Sequence, residues 1–321
     1  MYIRPTFPLN LPKLLLQRLS SKNLYASYIQ LLNYKGKYFC YICMIFQRED
    51  MKIETITSAQ NPKIKTLLEL QEKSKARRRE GLFAVEGARE LIHCLSVGYE
   101  AHSLFYCPEI LAEKDMPEIE QALSAGGNRC NVFSIPRHIY EKVAYRGSTE
   151  GVIAELKCKR HTLEELGGIK ENPIVVVLES VEKPGNLGAI LRSADAAGVD
   201  AVIVCDPLTD MYNPNLIRSS IGGIFTVPTA AASSEETIAW LKERGIKIYT
   251  AQLQDSSWYY DTDMTKGSAI VMGTEATGLT DIWRKAADAH IKIPMLGRLD
   301  SLNVSVSAAI LMYEAVRQRN A

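Results

Sequence analysis

Between residues 174 and 319, short apolar runs recur, each followed by a polar loop and then by a stretch of helical periodicity. Ile174 to Leu178 is β-branched almost throughout, the composition of a strand buried on both faces of a parallel sheet. Residues 201–205, 224–227, 247–251, 269–272 and 290–293 repeat that pattern, and helices are expected over 188–197, 214–220, 235–243 and from about 303 onward. Gly198 suits the position just past a helix end. Asn303 and Ser305 are both N-cap residue types at the start of the last helix. This alternation argues for an α/β unit whose parallel sheet is covered on both faces.

A smaller α/β pattern precedes it. Ile64, Leu67, Leu68 and Leu70 sit near helical spacing in an amphipathic helix expected over 58–74. Strands are expected over 82–85, 103–106, 131–135 and 151–156, with helices between them. Residues 158–172, CKRHTLEELGGIKEN, are polar with a glycine pair and read as a linker. The expected organisation is an atypical extension over 1–50, a first domain over 51–157, that linker, and a second domain over 173–321. The extension has seven basic residues against two acidic ones, six tyrosines and no sustained period. It reads as sequence outside the fold, with translation starting at Met51; an organellar targeting segment is the alternative.

Composition narrows the classes. A chain of 321 residues with 23% charged and 46% hydrophobic residues is an ordinary globular protein, long enough for two domains. The net charge of +1 does not advertise nucleic acid, and without the extension the chain is net acidic. Any RNA binding must rest on local patches. The seven cysteines are scattered and odd in number, which suits a reducing cytoplasm, and the Cys40–Cys43 pair has no second pair at metal-ligand spacing. No metal site is expected. No apolar run reaches the roughly 18 residues that a membrane span needs.

Three polar loops follow buried strands: Glu182-Lys-Pro-Gly-Asn-Leu-Gly-Ala-Ile-Leu-Arg192, Met272-Gly-Thr-Glu-Ala-Thr-Gly-Leu279, and the stretch from Ile293 through Ser301-Leu-Asn-Val-Ser305. Ligands of open α/β sheets bind at the carboxyl ends of strands, where all three lie. No GxGxxG is present, which argues against an ordinary dinucleotide-type site. Taken in order over residues 172–319, the loops resemble the three motifs of the SpoU/TrmH-type RNA ribose methyltransferases, a branch of the SPOUT superfamily. Residues 51–157 resemble the ribosomal-protein-like RNA-binding domain that many members carry upstream.

The resemblance implies a trefoil-knotted parallel sheet, which periodicity would never reveal and general topology rules disfavour. It implies transfer of a methyl group from S-adenosylmethionine to a ribose 2′-hydroxyl of structured RNA, ribosomal RNA ahead of transfer RNA, by a cytoplasmic homodimer. Arg192, Asn186 and Glu275 match the catalytic positions. A guanidinium keeps its proton to a pH above about 12, so Arg192 is better suited to holding a phosphate and the attacking hydroxyl than to acting as a base. Asn186 would position Arg192 and the ribose; Glu275 would anchor the loops or the target nucleotide. Gly273, Thr274, Ile293, Met295, Ser301, Leu302 and Asn303 match the cofactor pocket. Arg77, Arg78 and Arg79, within the basic run from Lys73, and Arg218 are the RNA-contact candidates. Two other readings compete: a catalytically silent knotted RNA-binding protein serving ribosome assembly, and a base methyltransferase of another SPOUT branch. The intact loop residues argue against the first, and the N-x-G-x-x-x-R loop against the second.

Overall fold

The computed structural model describes residues 53–127, 130–145, 150–274 and 277–320. The extension over 1–50 and Glu275 therefore lie outside the described residues.

The chain begins with a short strand, β1 (Ile53–Thr55). Asn61 caps the next helix, α1 (Pro62–Glu72), by accepting from the Lys63 amide at 2.9 Å, and proline at the first helical position presets its φ. Ile64, Leu67 and Leu70 form its buried face. At Lys73 the backbone turns extended, so the single helix expected over 58–74 is two: the basic run forms α2 (Ser74–Glu80), which stops at Gly81 with φ 65°. There follow β2 (Leu82–Glu86), α3 (Ala88–Ser96), β3 (Ala101–Tyr106), α4 (Asp115–Ala125), β4 (Asn131–Ser134), α5 (Arg137–Val143) and β5 (Val152–Lys157). These strands form a mixed sheet of order β1-β4-β3-β5-β2, with β5 antiparallel to both neighbours.

The second sheet comprises β6 (Ile174–Glu179), β7 (Ala201–Cys205), β8 (Thr229–Ala232), β9 (Lys247–Ala251), β10 (Ser257–Trp258), β11 (Ser268–Met272) and β12 (Ala289–Lys292). Its order is β10-β12-β9-β11-β6-β7-β8 and every pairing is parallel, as the alternation predicted. Its helices are α6 (Pro184–Ala197), α7 (Pro214–Ser219), α8 (Gly223–Thr226), α9 (Ser234–Glu243), α10 (Asp281–Ala286) and α11 (Val304–Arg319). Val175, Val177, Ile203, Ile248 and Val271 meet Trp240, Leu241 and Trp283 in one core, while α11 packs along α6 on the sheet.

The strand expected over 224–227 is instead the short helix α8. Ile221 and Gly222 both adopt positive φ (53° and 81°) and reverse the chain there. Gly223 then packs against the Leu191 carbonyl of α6, so the apolar run buries itself as a helical turn. The strand begins after Pro228 and pairs with β7, Ala232 opposite Cys205. The segment 158–172 is anchored as well: Leu166 is buried in the core of the second sheet, and the His161 carbonyl accepts from Ala231 at 2.7 Å.

The two sheets share a seam. Phe83 of the first stacks on Tyr212 and Phe225 of the second, with the Phe83 and Tyr212 ring centroids 4.2 Å apart, and Tyr99 meets the same two rings edge to face. Beside them Arg77, 4% exposed, donates through Nε to Asp210 at 2.7 Å, while its Nη1 donates to the Leu70 and Gln71 carbonyls. This corrects the RNA-contact reading of Arg77: its guanidinium is spent inside the protein. Arg77→Ala would strand the Asp210 carboxylate in the seam. We expect it to lower the unfolding free energy by about 3 kcal/mol, towards the low end for a broken buried pair because Asp210 keeps some access to water. Urea unfolding monitored by circular dichroism measures this.

Glu155 on β5 is also buried, 4% exposed, and its Oε1 has no hydrogen-bond partner among the described residues. Burial raises its pKa above 4.5, and His102, 3.4 Å from Oε2, only partly opposes that. The folded protein therefore holds this proton more tightly than the unfolded chain. Its contribution is complete below the ordinary carboxyl range and is lost as pH rises through the raised value. Glu155→Gln should thus gain stability relative to the parent as pH rises from 4 to 7, measured as the difference between their melting temperatures across that range.

Candidate active site at the carboxyl edge of the parallel sheet

All seven strands of the second sheet run in one direction, so the three motif loops emerge on one edge. The first loop is already helical. Pro184 starts α6, and Asn186 and Gly188 lie in its first turns. A Cβ built on Gly188 would lie 1.8 Å from Ser219 Oγ and 2.8 Å from the Ser220 amide nitrogen. Ser219 in turn donates to the Pro184 carbonyl at 3.3 Å, so glycine here lets α7 lie directly on the start of α6. Arg192, one turn beyond Gly188, is exposed and makes no hydrogen bond or ion pair among the described residues.

The third loop meets the first. Asn303 Nδ2 donates to Asn186 Oδ1 at 3.2 Å, across 117 positions of sequence. The other end of the same amide caps α11: Asn303 Oδ1 accepts from the Ser305 amide at 2.9 Å and from its hydroxyl at 2.6 Å. Of the two N-cap types expected, Asn303 is the cap and Ser305 serves it. Ser301 donates to Asp300 at 3.1 Å and is exposed. Ile293 and Met295, directly after β12, are half-buried; Leu302 is exposed. Leu296 and Leu299 project from the same loop, 96% and 76% exposed.

The second loop closes on itself. Thr274 and Gly278 exchange backbone hydrogen bonds of 3.2 and 3.1 Å, and the Thr274 hydroxyl accepts from the Thr277 amide at 3.0 Å. A Cβ on Gly273 would sit 2.3 Å from the Gly278 carbonyl carbon, so the close approach that requires this glycine is to its own loop. Sequence reasoning missed Glu179, which fixes the loop to the sheet. At the end of β6, buried, it accepts from the Thr280 amide at 2.9 Å and from the Thr280 hydroxyl at 2.5 Å. An acid ending an otherwise apolar strand, IVVVLE, was the available signal.

Of the basic candidates, Arg78 is exposed and unpaired among the described residues. Arg79 is exposed but held by Glu80 at 2.7 Å and Glu69 at 3.2 Å. Arg218 is exposed on α7 and donates to the Tyr145 carbonyl at 3.3 Å. Tyr145 itself bridges the sheets: its amide donates to Glu86 at 2.8 Å and its hydroxyl to Asn215 at 2.9 Å. Burial pushes the Cys205 thiol up to about 12 and raises that of Cys94 well above its ordinary value, so neither offers a thiolate nucleophile near neutral pH.

This geometry can seat an apolar planar group against Ile293 and Met295 and present a guanidinium and two amides beside it. Residues 173–313 match the SpoU rRNA Methylase family, and residues 61–154 match the MRM3-like substrate binding domain. The chain is 30% identical over 261 residues to the 23S rRNA (guanosine(2553)-2′-O)-methyltransferase RlmP of Bacillus subtilis, covering 81% of this chain and 98% of that one. A crystal structure of an RNA 2′-O ribose methyltransferase superposes with a TM-score of 0.71 at 38% identity, over 84% of this chain and all of the other. An AdoMet-bound rRNA methyltransferase from Sinorhizobium meliloti superposes with a TM-score of 0.74 at 28% identity, over 83% and 98% of the two chains. With a relative matched across nearly its full length and the family profile falling on the half that carries the site, the chain belongs to the SpoU rRNA Methylase family.

Proposed function

We propose that this protein transfers a methyl group from S-adenosylmethionine to a ribose 2′-hydroxyl of ribosomal RNA. The single observation that carries the reading is the Asn303–Asn186 hydrogen bond at 3.2 Å, which ties the loop suited to the cofactor to the helix that presents Arg192. The residues suit the cofactor: Ile293 and Met295 leave apolar surface for an adenine, and the loop around Leu302 and Asn303 adds an apolar side chain and backbone polar groups. Gly273, Thr274 and Ser301 lie in loops that leave the same edge of the sheet. Bound there, S-adenosylmethionine supplies a methyl carbon already activated by its sulfonium.

What remains for the chain is alignment and charge. Arg192, which makes no hydrogen bond or ion pair among the described residues, holds the nucleotide's phosphate and the attacking hydroxyl, and so stabilises the oxyanion as the proton leaves to solvent. Asn186, steadied by Asn303, fixes the ribose beside it; Glu275 is assigned the loop-anchoring role. Arg78, Arg79 and Arg218 supply phosphate contacts. Transfer RNA stays the second substrate class. We further propose a cytoplasmic homodimer, supported by the exposed apolar surface of Leu296, Leu299, Val306 and Tyr313 on and before α11. Incubating the protein with labelled S-adenosylmethionine and ribosomal RNA that lacks its modifications tests the proposal. Label entering RNA supports it. Cofactor and RNA binding with no transfer would instead favour the silent assembly-factor reading.

A further inference from the structure

The outermost strand of the second sheet carries an aromatic surface that the proposed chemistry does not use. Trp258, which ends β10, is 40% exposed, and Tyr260, in the turn that follows, is 47% exposed. Their rings lie 22° from parallel with centroids 6.5 Å apart. Lys292 Nζ stands 4.8 Å from the centre of the Trp258 ring and makes no ion pair among the described residues. Register fixes the direction in which Trp258 faces. It lies opposite Lys292; His290, two residues earlier, lies opposite Thr250, and Thr250 opposite Val271. Side chains alternate along a strand, so Trp258 shares the face of Val271, which Trp240 and Trp283 cover. The exposed apolar residues of α11 belong to a helix that packs on the other face.

Because β10 is parallel to β12, its carboxyl end opens on the same edge as the three motif loops. Four strand spacings, about 19 Å, separate it from β6, after which α6 presents Arg192. A protein partner is too large for this surface: two rings so exposed present on the order of 100 Å² each, against the roughly 1,200 Å² that a specific protein interface buries. Charge does not draw phosphate there, because the exposed acids Asp255 and Asp261 flank the rings. What remains is the ring face itself, held in place by the ammonium of Lys292. A flat, exposed ring accepts any unstacked nucleobase. We propose that Trp258 is a stacking site for an unpaired base of the RNA substrate, other than that of the methylated nucleotide, with Tyr260 beside it. The inference rests on the RNA-methyltransferase reading of the same edge.

The chain has three tryptophans, and Trp240 is 8% exposed and Trp283 fully buried, so a stacked base quenches Trp258 alone. Titrating the full chain with a short oligoadenylate should therefore lower its tryptophan emission. Anisotropy of the same oligonucleotide carrying a dye reads affinity. Trp258→Ala should bind it about tenfold more weakly, the order that removing one stacking aromatic costs, and should melt at the parent temperature. Trp258→Phe, which keeps a ring, should retain most of the affinity. Trp258→Leu, which keeps apolar bulk without a ring face, should not, and it decides if the alanine variant fails to fold. Parent emission unchanged at saturating oligoadenylate would overturn the proposal, as would parent affinity in the alanine or leucine variant. Loss of self-association in place of RNA affinity, seen by sedimentation, would also overturn it and make this face a contact between copies of the chain. Methyl transfer without quenching would fail this inference alone. Quenching with Trp258-dependent affinity but no methyl transfer would fail only the catalytic reading.

Discussion

Arg192→Ala is expected to lower the rate of methyl transfer by about 10²–10³-fold or more, the cost of removing one donor aimed at developing negative charge. S-Adenosylmethionine affinity and the melting temperature should stay at parent values. The expectation follows from what Arg192 does not do: it is exposed and makes no internal hydrogen bond or ion pair among the described residues, so no structural contact is lost with it. Arg192→Lys should recover little, because an ammonium cannot grip a phosphate and a hydroxyl with a planar fork. Single-turnover transfer at saturating cofactor, paired with calorimetric cofactor titration, separates the two effects. A variant that loses cofactor binding, stability or self-association would place Arg192 in the scaffold.

The second large effect is expected of Gly273→Ala. Its Cβ would fall 2.3 Å from the Gly278 carbonyl carbon and 2.5 Å from the Leu279 nitrogen, and both are backbone atoms that no rotamer change can move. The Thr274–Gly278 bridge would have to open. We expect a loss of about 3 kcal/mol in stability, the upper range for a forced overlap, together with at least a tenfold loss of cofactor affinity. Thermal melting and cofactor titration check both. A variant with parent stability would mean that the loop relaxes freely and that Gly273 is kept for the ligand alone.

Much of this was legible in the chain. The parallel sheet followed from β-branched runs such as Ile174–Glu179, because strands buried on both faces leave no polar alternation to blur. The start of α11 was legible from Asn303, since capping is a local property of a few residues. The errors arose where tertiary contacts decide. Residues 224–227 have strand composition, but the positive φ angles at Ile221 and Gly222 fold them onto α6. Arg77 sits in a basic run like its neighbours Arg78 and Arg79, and only the fold brings Asp210 to it across 133 positions. The role of Glu179 was equally out of reach, since it joins a strand end to a loop distant in sequence.

The central claim is that the methyl group goes to a ribose oxygen. The direct test is alkaline hydrolysis of RNA labelled by this protein from methyl-labelled S-adenosylmethionine. A 2′-O-methyl group blocks the neighbouring hydroxyl from attacking the phosphate, so the label should appear in alkali-resistant dinucleotides. Label recovered in mononucleotides would mean that a base was methylated and would contradict the assignment of Arg192 and Asn186 to a ribose hydroxyl.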